Sequence, residues 1–323
     1  MDRRNFLKTS SLGSLGTIAI AKGIDMNSAA SPLKIGICAD IHLDTVFDGK
    51  QRLENFISAM RTEKPDLIVQ LGDFCGPKEG NNALLDSWNR FEGPTCHVIG
   101  NHDTDGDFTK QQVVDFWKIP NAYYSFDLKG YHFMILDGND PYANKDPRNK
   151  YWSYIGQEQQ DWMEAELEKT DLPVIVFMHQ GLDNDMGGVE NAVQVRAIFD
   201  RHNKKKKNKV QVVFSGHHHE DYYNVINGVH YVQVNSMSYK WLGKGYEHVP
   251  YTEEINKKFW LTKWTAPYRD PLWAVVEISN GMLQMKGKAS AFVGKTPKEL
   301  GRPPYPAGYP EVPFISDRKI NLA

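Results

Sequence analysis

Cysteine is scarce in this chain, with three residues among 323. Three thiols cannot build a disulfide framework, so an ordinary hydrophobic core must hold the fold. Net charge is nearly absent too: 38 basic and 40 acidic residues leave −2, no electrostatic footprint for a nucleic-acid backbone or an anionic membrane. No run approaches the roughly 20 apolar residues that span a bilayer. What is present is a globular balance, 41% hydrophobic and 24% charged, with 26 Gly and 17 Pro. That balance argues against disorder, collagen-like repeats and coiled coil. There is no internal repeat of fixed period and no evident linker, so one domain is expected.

Residues 1–30 have the layout of a signal peptide: paired Arg3-Arg4, a mildly apolar run from Leu12 to Ala21, and the small-residue end Asn27-Ser28-Ala29-Ala30. Arg3-Arg4-Asn5-Phe6-Leu7-Lys8 resembles the twin-arginine translocation motif, with Asp2 where Ser or Thr is usual. The resemblance implies that the twin-arginine translocation machinery exports the folded chain, to a periplasmic or secreted location. The apolar run is too short and too rich in Gly and Ser to be a stable membrane anchor. Cleavage after Ala30 would remove Arg3, Arg4, Lys8 and Lys22 against Asp2 and Asp25, leaving a net charge of −4. In an oxidising compartment Cys38, Cys75 and Cys96 allow one disulfide and a leftover thiol. All three lie in or beside expected strands, so buried small hydrophobes are the expectation.

Along residues 31–300, short apolar strand patterns alternate with helical ones. Strands are expected over 33–38, 67–71, 95–99, 173–178 and 210–215, and helices over 52–63, 84–91, 156–169 and 189–202. That alternation argues for βαβ units and buried, largely parallel sheet. Lys129-Gly130, Asn227-Gly228 and Asn280-Gly281 each separate two strand-like runs in hairpin style. Residues 236–269 turn aromatic and irregular, and the Pro-rich tail 301–323 is expected to pack on the domain as extended chain.

The polar residues of interest cluster at strand ends. Asp40-Ile41-His42, Gly72-Asp73, Gly100-Asn101-His102-Asp103, His179 and Gly216-His217-His218-His219 each follow the C-terminal end of an expected strand, where open α/β sheets bind ligands. Singly each is weak, since Gly-Asp or Gly-Asn is usually only a turn. Five in order supply more carboxylate, carboxamide and imidazole ligands than one ion of four to six coordination can take, and about enough for two. Such mixed ligands suit Fe, Mn or Zn better than calcium, which prefers all-oxygen shells.

The ordered set D-x-H, G-D, G-N-H-D, H and G-H-x-H resembles the calcineurin-like metallophosphoesterases, and Ile155 to Met163 is similar to that family's E-Q-x-x-W-L helix entry. The resemblance implies an α/β fold, a four-layer αββα sandwich of two mixed β-sheets flanked by helices. It implies Asp40, His42, Asp73 and His219 on a first metal, and Asp73, Asn101, His179 and His217 on a second. His102 would face the substrate phosphate, with Asp103 orienting its ring, and His218 has no role. His42 and Gly76 stand where the purple acid phosphatase branch has Gly and Tyr, which points to the branch rich in phosphodiesterases. The implied activity is hydrolysis of a phosphoric ester in a small phosphorylated substrate, with a diester favoured. A metal-bridging hydroxide would attack phosphorus in line. A phosphomonoesterase is the alternative, then a non-catalytic metal-binding scaffold. Nucleic acid is not an expected partner. For substrate contacts the residues leave several openings: Tyr142, Lys145, Arg148, Lys150 and Tyr151 in the loop 137–152, and the aromatic stretch from Tyr239 to Tyr268. Lys204 to Lys207 with Lys209 is expected to be a solvated turn.

Overall fold

A computed structural model describes residues 32–43, 45–144, 151–184 and 186–323. The expected signal peptide, and with it Lys145, Arg148 and Lys150, lies outside the described residues. The chain runs β1 (Leu33–Cys38), α1 (Gly49–Glu63), β2 (Leu67–Gln70), α2 (Asn82–Trp88), β3 (Thr95–His97), α3 (Lys110–Trp117), β4 (Tyr124–Leu128), β5 (Tyr131–Ile135) and α4 (Gln157–Lys169). It continues with β6 (Val174–Phe177), α5 (Ala192–Lys205), β7 (Val210–Ser215), β8 (Tyr222–Ile226), β9 (Val229–Gln233), β10 (Tyr239–Trp241), α6 (Glu253–Lys258), β11 (Thr265–Pro267), β12 (Ala274–Ser279), β13 (Met282–Gly287) and β14 (Arg318–Asn321).

Two six-stranded sheets result, in the orders β14-β13-β12-β1-β2-β3 and β4-β5-β6-β7-β9-β8. Both are mixed: β1, β2 and β3 are mutually parallel, as are β5, β6 and β7, while β12 and β4 join them antiparallel. Alternation along β6 and β7 shows why these strands read as unbroken apolar runs. Ile175, Phe177, Val212 and Phe214 enter the core between the sheets, whereas Val174, Val176, Val210 and Val213 pack with Met163, Leu167, Val195 and Phe199 of α4 and α5. On the other side, α1 lies so close on β1 that a Cβ at Gly36 would strike the Met60 sulfur. The architecture is the expected four-layer sandwich of two mixed sheets flanked by helices, in one domain.

All three two-residue hairpin turns take positive φ at both positions: 48° and 79° at Lys129-Gly130, 51° and 82° at Asn227-Gly228, 50° and 70° at Asn280-Gly281. Some expectations differ from the structure. The tail packs on the domain and its end also joins a sheet: Ile320 pairs with Leu283 and is buried, so β14 extends the first sheet's edge. Its alternating Lys319-Ile320-Asn321-Leu322 pattern prevails over the Pro-rich stretch before it. Helix α3 was not expected; a capping box between Thr109 and Gln112 starts it, and Val113, Val114 and Trp117 anchor it. The three cysteines are buried and form no disulfide, and burial pushes the Cys96 thiol up to about 12. Lys204 to Lys207 are exposed as expected, with Lys205 paired to Glu168 at 2.8 Å and Lys206 donating to the Asp171 carbonyl, but Lys209 is buried and donates to the Thr170 carbonyl. Among the described residues no helix is long and apolar enough to cross a membrane.

Candidate metal centre

The parallel strands β1, β2 and β3 of one sheet and β6 and β7 of the other end side by side, and the residues just past their ends converge. Two groups form: Asp40, His42 and His219, and Asp73, His179 and His217, the ligand atoms of each lying within 4.8 Å of one another. In the first, His219 Nε2 stands 3.3 Å from Asp40 Oδ1 and 3.1 Å from His42 Nε2. In the second, His179 Nε2 stands 3.2 Å from Asp73 Oδ2, 3.2 Å from His217 Nδ1 and 3.1 Å from Asn101 Oδ1. Asp73 Oδ2 also lies 3.4 Å from His42 Nε2, which puts this one oxygen between the groups. The other oxygen, Oδ1, accepts the His102 N–H at 2.8 Å.

The backbone is bent hard to achieve this convergence. Asp40, His42, Asp73, His217 and His219 all take left-handed φ, at 53°, 52°, 51°, 76° and 51°. That conformation costs a residue with a Cβ roughly 1–2 kcal/mol. Interlocking loops hold it, with Asp40 N–H donating to the Gly72 carbonyl and His42 N–H to the Asp73 carbonyl, each at 3.0 Å. Two motif glycines answer to the same crowding. A Cβ on Gly72 would run into the His179 ring, and one on Gly100 would run into the Asp73 carboxylate and backbone nitrogen.

Outer partners set which ring nitrogen faces inward. His179 Nδ1–H donates to the Leu71 carbonyl at 2.7 Å and His219 Nδ1–H to the Tyr239 carbonyl at 2.8 Å. A carbonyl oxygen only accepts, so both rings carry their Nδ1 proton outward and turn Nε2 towards a carboxylate, where a cation would take the lone pair. Ring nitrogens facing carboxylate oxygens across 3.2–3.3 Å, in a buried space, fit a cation between them, a proton or a metal ion. Protonation equilibria express the same field. Burial resists ionisation of Asp40 and Asp73, yet His219 and His42 around the first, and His179, His102 and His42 around the second, outweigh it and hold both carboxyls below the usual range. Burial, reinforced by His179 and His218, pushes His217 well down. Burial also lowers His42 despite Asp73 nearby. His179 is the exception: burial opposes its proton, but Asp73 and Asp40 carry it up to about 9, marking the second group as a strong well for positive charge.

His102 is placed at the rim, its side chain 41% exposed and its ring 5.2 Å from that of His42. Asp103 does not orient it. Its carboxylate instead accepts the N–H groups of Gly100, Asp73 and Phe74 at 2.7, 2.9 and 2.8 Å, clamping two ligand loops together. The ring's partner is Asp105, whose Oδ2 lies 2.7 Å from His102 Nδ1, and Tyr151 donates its hydroxyl to the same carboxylate at 2.8 Å. Sequence reasoning missed Asp105; its only signal was a carboxylate three residues beyond a histidine. The Leu71 and Tyr239 carbonyls carry no side-chain signal. His218 faces away, with Nδ1 3.0 Å from the Tyr222 hydroxyl. Beside Asn101 and His217 opens a cleft of about 610 Å³ walled by Tyr151, Trp152, Val189 and Val193. A second hollow, about 430 Å³ and lined by Lys34, Glu63 and Arg318, lies away from these ligands.

The sequence pattern of the family described as calcineurin-like phosphoesterase matches residues 33–221. The chain belongs to this family. It is a hydrolase acting on phosphoric ester bonds, in a dimetal-dependent family, and its two ligand groups correspond in number. It is 27% identical over 212 residues to a probable cyclic nucleotide phosphodiesterase of Fibrobacter succinogenes, covering 58% of this chain and 73% of the relative. It is 26% identical over 275 residues to a manganese-dependent ADP-ribose/CDP-alcohol diphosphatase of Arabidopsis thaliana, covering 64% and 87%. A dimetal phosphatase from Danio rerio superposes over 82% of this chain and 99% of its own with a TM-score of 0.59 at 14% identity, a likeness of fold.

Proposed function

We propose that this phosphoesterase hydrolyses a phosphodiester in a small molecule, using a metal pair held by Asp40, His42, Asp73 and His219 on one side and Asp73, Asn101, His179 and His217 on the other. The observation that carries the reading is the position of Asp73 Oδ2, 3.4 Å from His42 Nε2 and 3.2 Å from His179 Nε2. Fe, Mn or Zn suits the donor set, and the name of the Arabidopsis relative supports Mn. Bound there, the ions would provide a nucleophilic water at neutral pH and neutralise charge on the phosphate oxygens. The chain's own residues do the rest. Asp40 and Asp73 stay ionised and His42 and His217 stay neutral, the forms in which they ligate. Asp105 and Tyr151 hold Nδ1 of His102, leaving Nε2 to stabilise the phosphate or to protonate the leaving oxygen. Attack by water is direct and in line, with no phosphorylated enzyme.

A diester has a substituent on each side of phosphorus, and the cleft beside Asn101 and His217 offers room for the second. The test compares initial rates on bis-p-nitrophenyl phosphate and p-nitrophenyl phosphate with Mn-supplemented protein. Preference for the diester is expected, and preference for the monoester would move the assignment to a phosphatase. Residues 1–30 we propose to be a twin-arginine export signal, supported by Arg3-Arg4. Replacing both with Lys should trap the protein in the cytoplasmic fraction; unchanged export would contradict it.

A further inference from the structure

The C-terminal segment 302–318 lies beyond residues 33–221, which carry the family pattern, yet it packs on Asp221, Tyr222 and Lys240, the neighbours of the Gly216-His217-His218-His219 loop. Lys240 is the joint. Its buried ammonium donates to the His218 carbonyl at 3.0 Å and to Glu220 Oε1 at 2.7 Å, and stands 3.8 Å from Glu311 Oε1. Glu311 is in turn gripped by Arg302, whose Nε and Nη2 reach its carboxylate at 2.6–3.0 Å while Nη1 donates to the Leu242 carbonyl. The His218 carbonyl sits between a residue of one ligand group and a residue of the other. The residue just before Lys240, Tyr239, supplies the carbonyl that orients His219.

Two further contacts fasten the same loop. Tyr309 stacks on Tyr222, centroids 3.9 Å apart, and Tyr222 touches His218; Arg318 pairs with Asp221 at 2.8 Å. Glu220 and Glu311 are nearly fully buried, as is Lys240, so two acids and two bases neutralise one another away from water. Buried ion clusters of this kind add little to stability compared with apolar packing, and their best-attested use is to fix one arrangement of the groups they touch.

We propose that Glu311, acting through Lys240 and locked by Arg302, is a positioning residue for the metal ligands His217 and His219, so that the C-terminal segment serves to retain the metals. The inference rests on the two-metal reading of the site. Loss of an outer partner of a ligand typically weakens metal affinity about 10–100-fold. The experiment is calorimetric titration of Mn²⁺ into the metal-free full chain, for wild type, Glu311→Gln and Arg302→Lys, with Tyr305→Ala at an exposed site of the same segment as control. Glu311 acts one step further out than a direct partner, so Glu311→Gln should raise the Mn²⁺ dissociation constant by up to about tenfold, the lower end of the direct-partner range; Arg302→Lys should do so to a lesser degree, and Tyr305→Ala should change nothing. The melting temperature of the metal-free protein should fall in Glu311→Gln, because a buried positive charge loses its partner, and stay within a few degrees in the charge-keeping Arg302→Lys; in both folded variants excess Mn²⁺ should restore kcat. If Glu311→Gln does not fold, Arg302→Lys, which keeps the charge, decides alone. Unchanged Mn²⁺ affinity in a folded variant would overturn the positioning role while leaving the two-metal reading intact. A wild type that fails to take up two Mn²⁺ would overturn that reading and this inference with it.

Discussion

Replacing Asp105 with Asn separates the action of His102 from metal binding. In the structure Asp105 Oδ2 lies 2.7 Å from His102 Nδ1, with the two side chains 30% and 41% exposed. A buried charge-assisted hydrogen bond is worth roughly 1.5–3 kcal/mol, and screening by solvent at this rim reduces that to about 1–1.5 kcal/mol. Asn can still accept from Nδ1–H, so ring orientation persists while the charge favouring the imidazolium is lost. If that stabilisation acts in the transition state, kcat should fall roughly five- to twelvefold. The assay is bis-p-nitrophenyl phosphate hydrolysis at saturating Mn²⁺, with metal content measured by mass spectrometry on the same samples. Metal content should be unchanged. Repeated in a His102→Ala background, the substitution should have no further effect, because its route of action is gone. Loss of metal in Asp105→Asn, or an equal drop in the His102→Ala background, would refute the reasoning.

Other perturbations separate the parts of the site. Asp73→Asn should lower affinity for both ions by more than the roughly 10–100-fold expected for an outer partner, leaving metal-analysed protein with fewer than two ions. Gly100→Ala forces a Cβ into the Asp73 carboxylate, and overpacking of that kind costs about 1–3 kcal/mol, seen as a lowered melting temperature together with weakened metal retention. Phe177→Ala, at a fully buried position between the sheets, should cost about 3–5 kcal/mol in denaturant unfolding, with kcat at saturating Mn²⁺ kept in the folded fraction.

How much of this was legible in the sequence depended on whether the signal was local. Val174 to Phe177 is an apolar run with His179 just beyond it, so the strand and its functional terminus could be read together. The Asn-Gly and Lys-Gly turns were equally local, because left-handed backbone at two successive positions favours Gly at the second and, in two of the three, Asn at the first. The partners of His102 were not local: Tyr151 reaches Asp105 across 46 residues of sequence, through a loop whose length says nothing of its path. Asp103 was misread for a related reason. A carboxylate next to a catalytic histidine looks like its partner, but the turn at Asn101–Thr104 swings Asp103 inward to three backbone N–H groups and leaves Asp105 beside the ring. The carbonyls of Leu71 and Tyr239 belong to the backbone and leave no trace in side-chain identity. The tail was legible in its prolines but not in Glu311, whose function is set by Lys240 and Arg302 meeting it in the fold.

The central claim is that the Asp73 carboxylate is shared by two metal ions, one in each ligand group. Anomalous diffraction from crystals grown with Mn²⁺ tests it most directly. The account predicts two full peaks roughly 3.5–4 Å apart, with Asp73 Oδ2 between them. A single peak, or two peaks with Asp73 bound to only one, would contradict it.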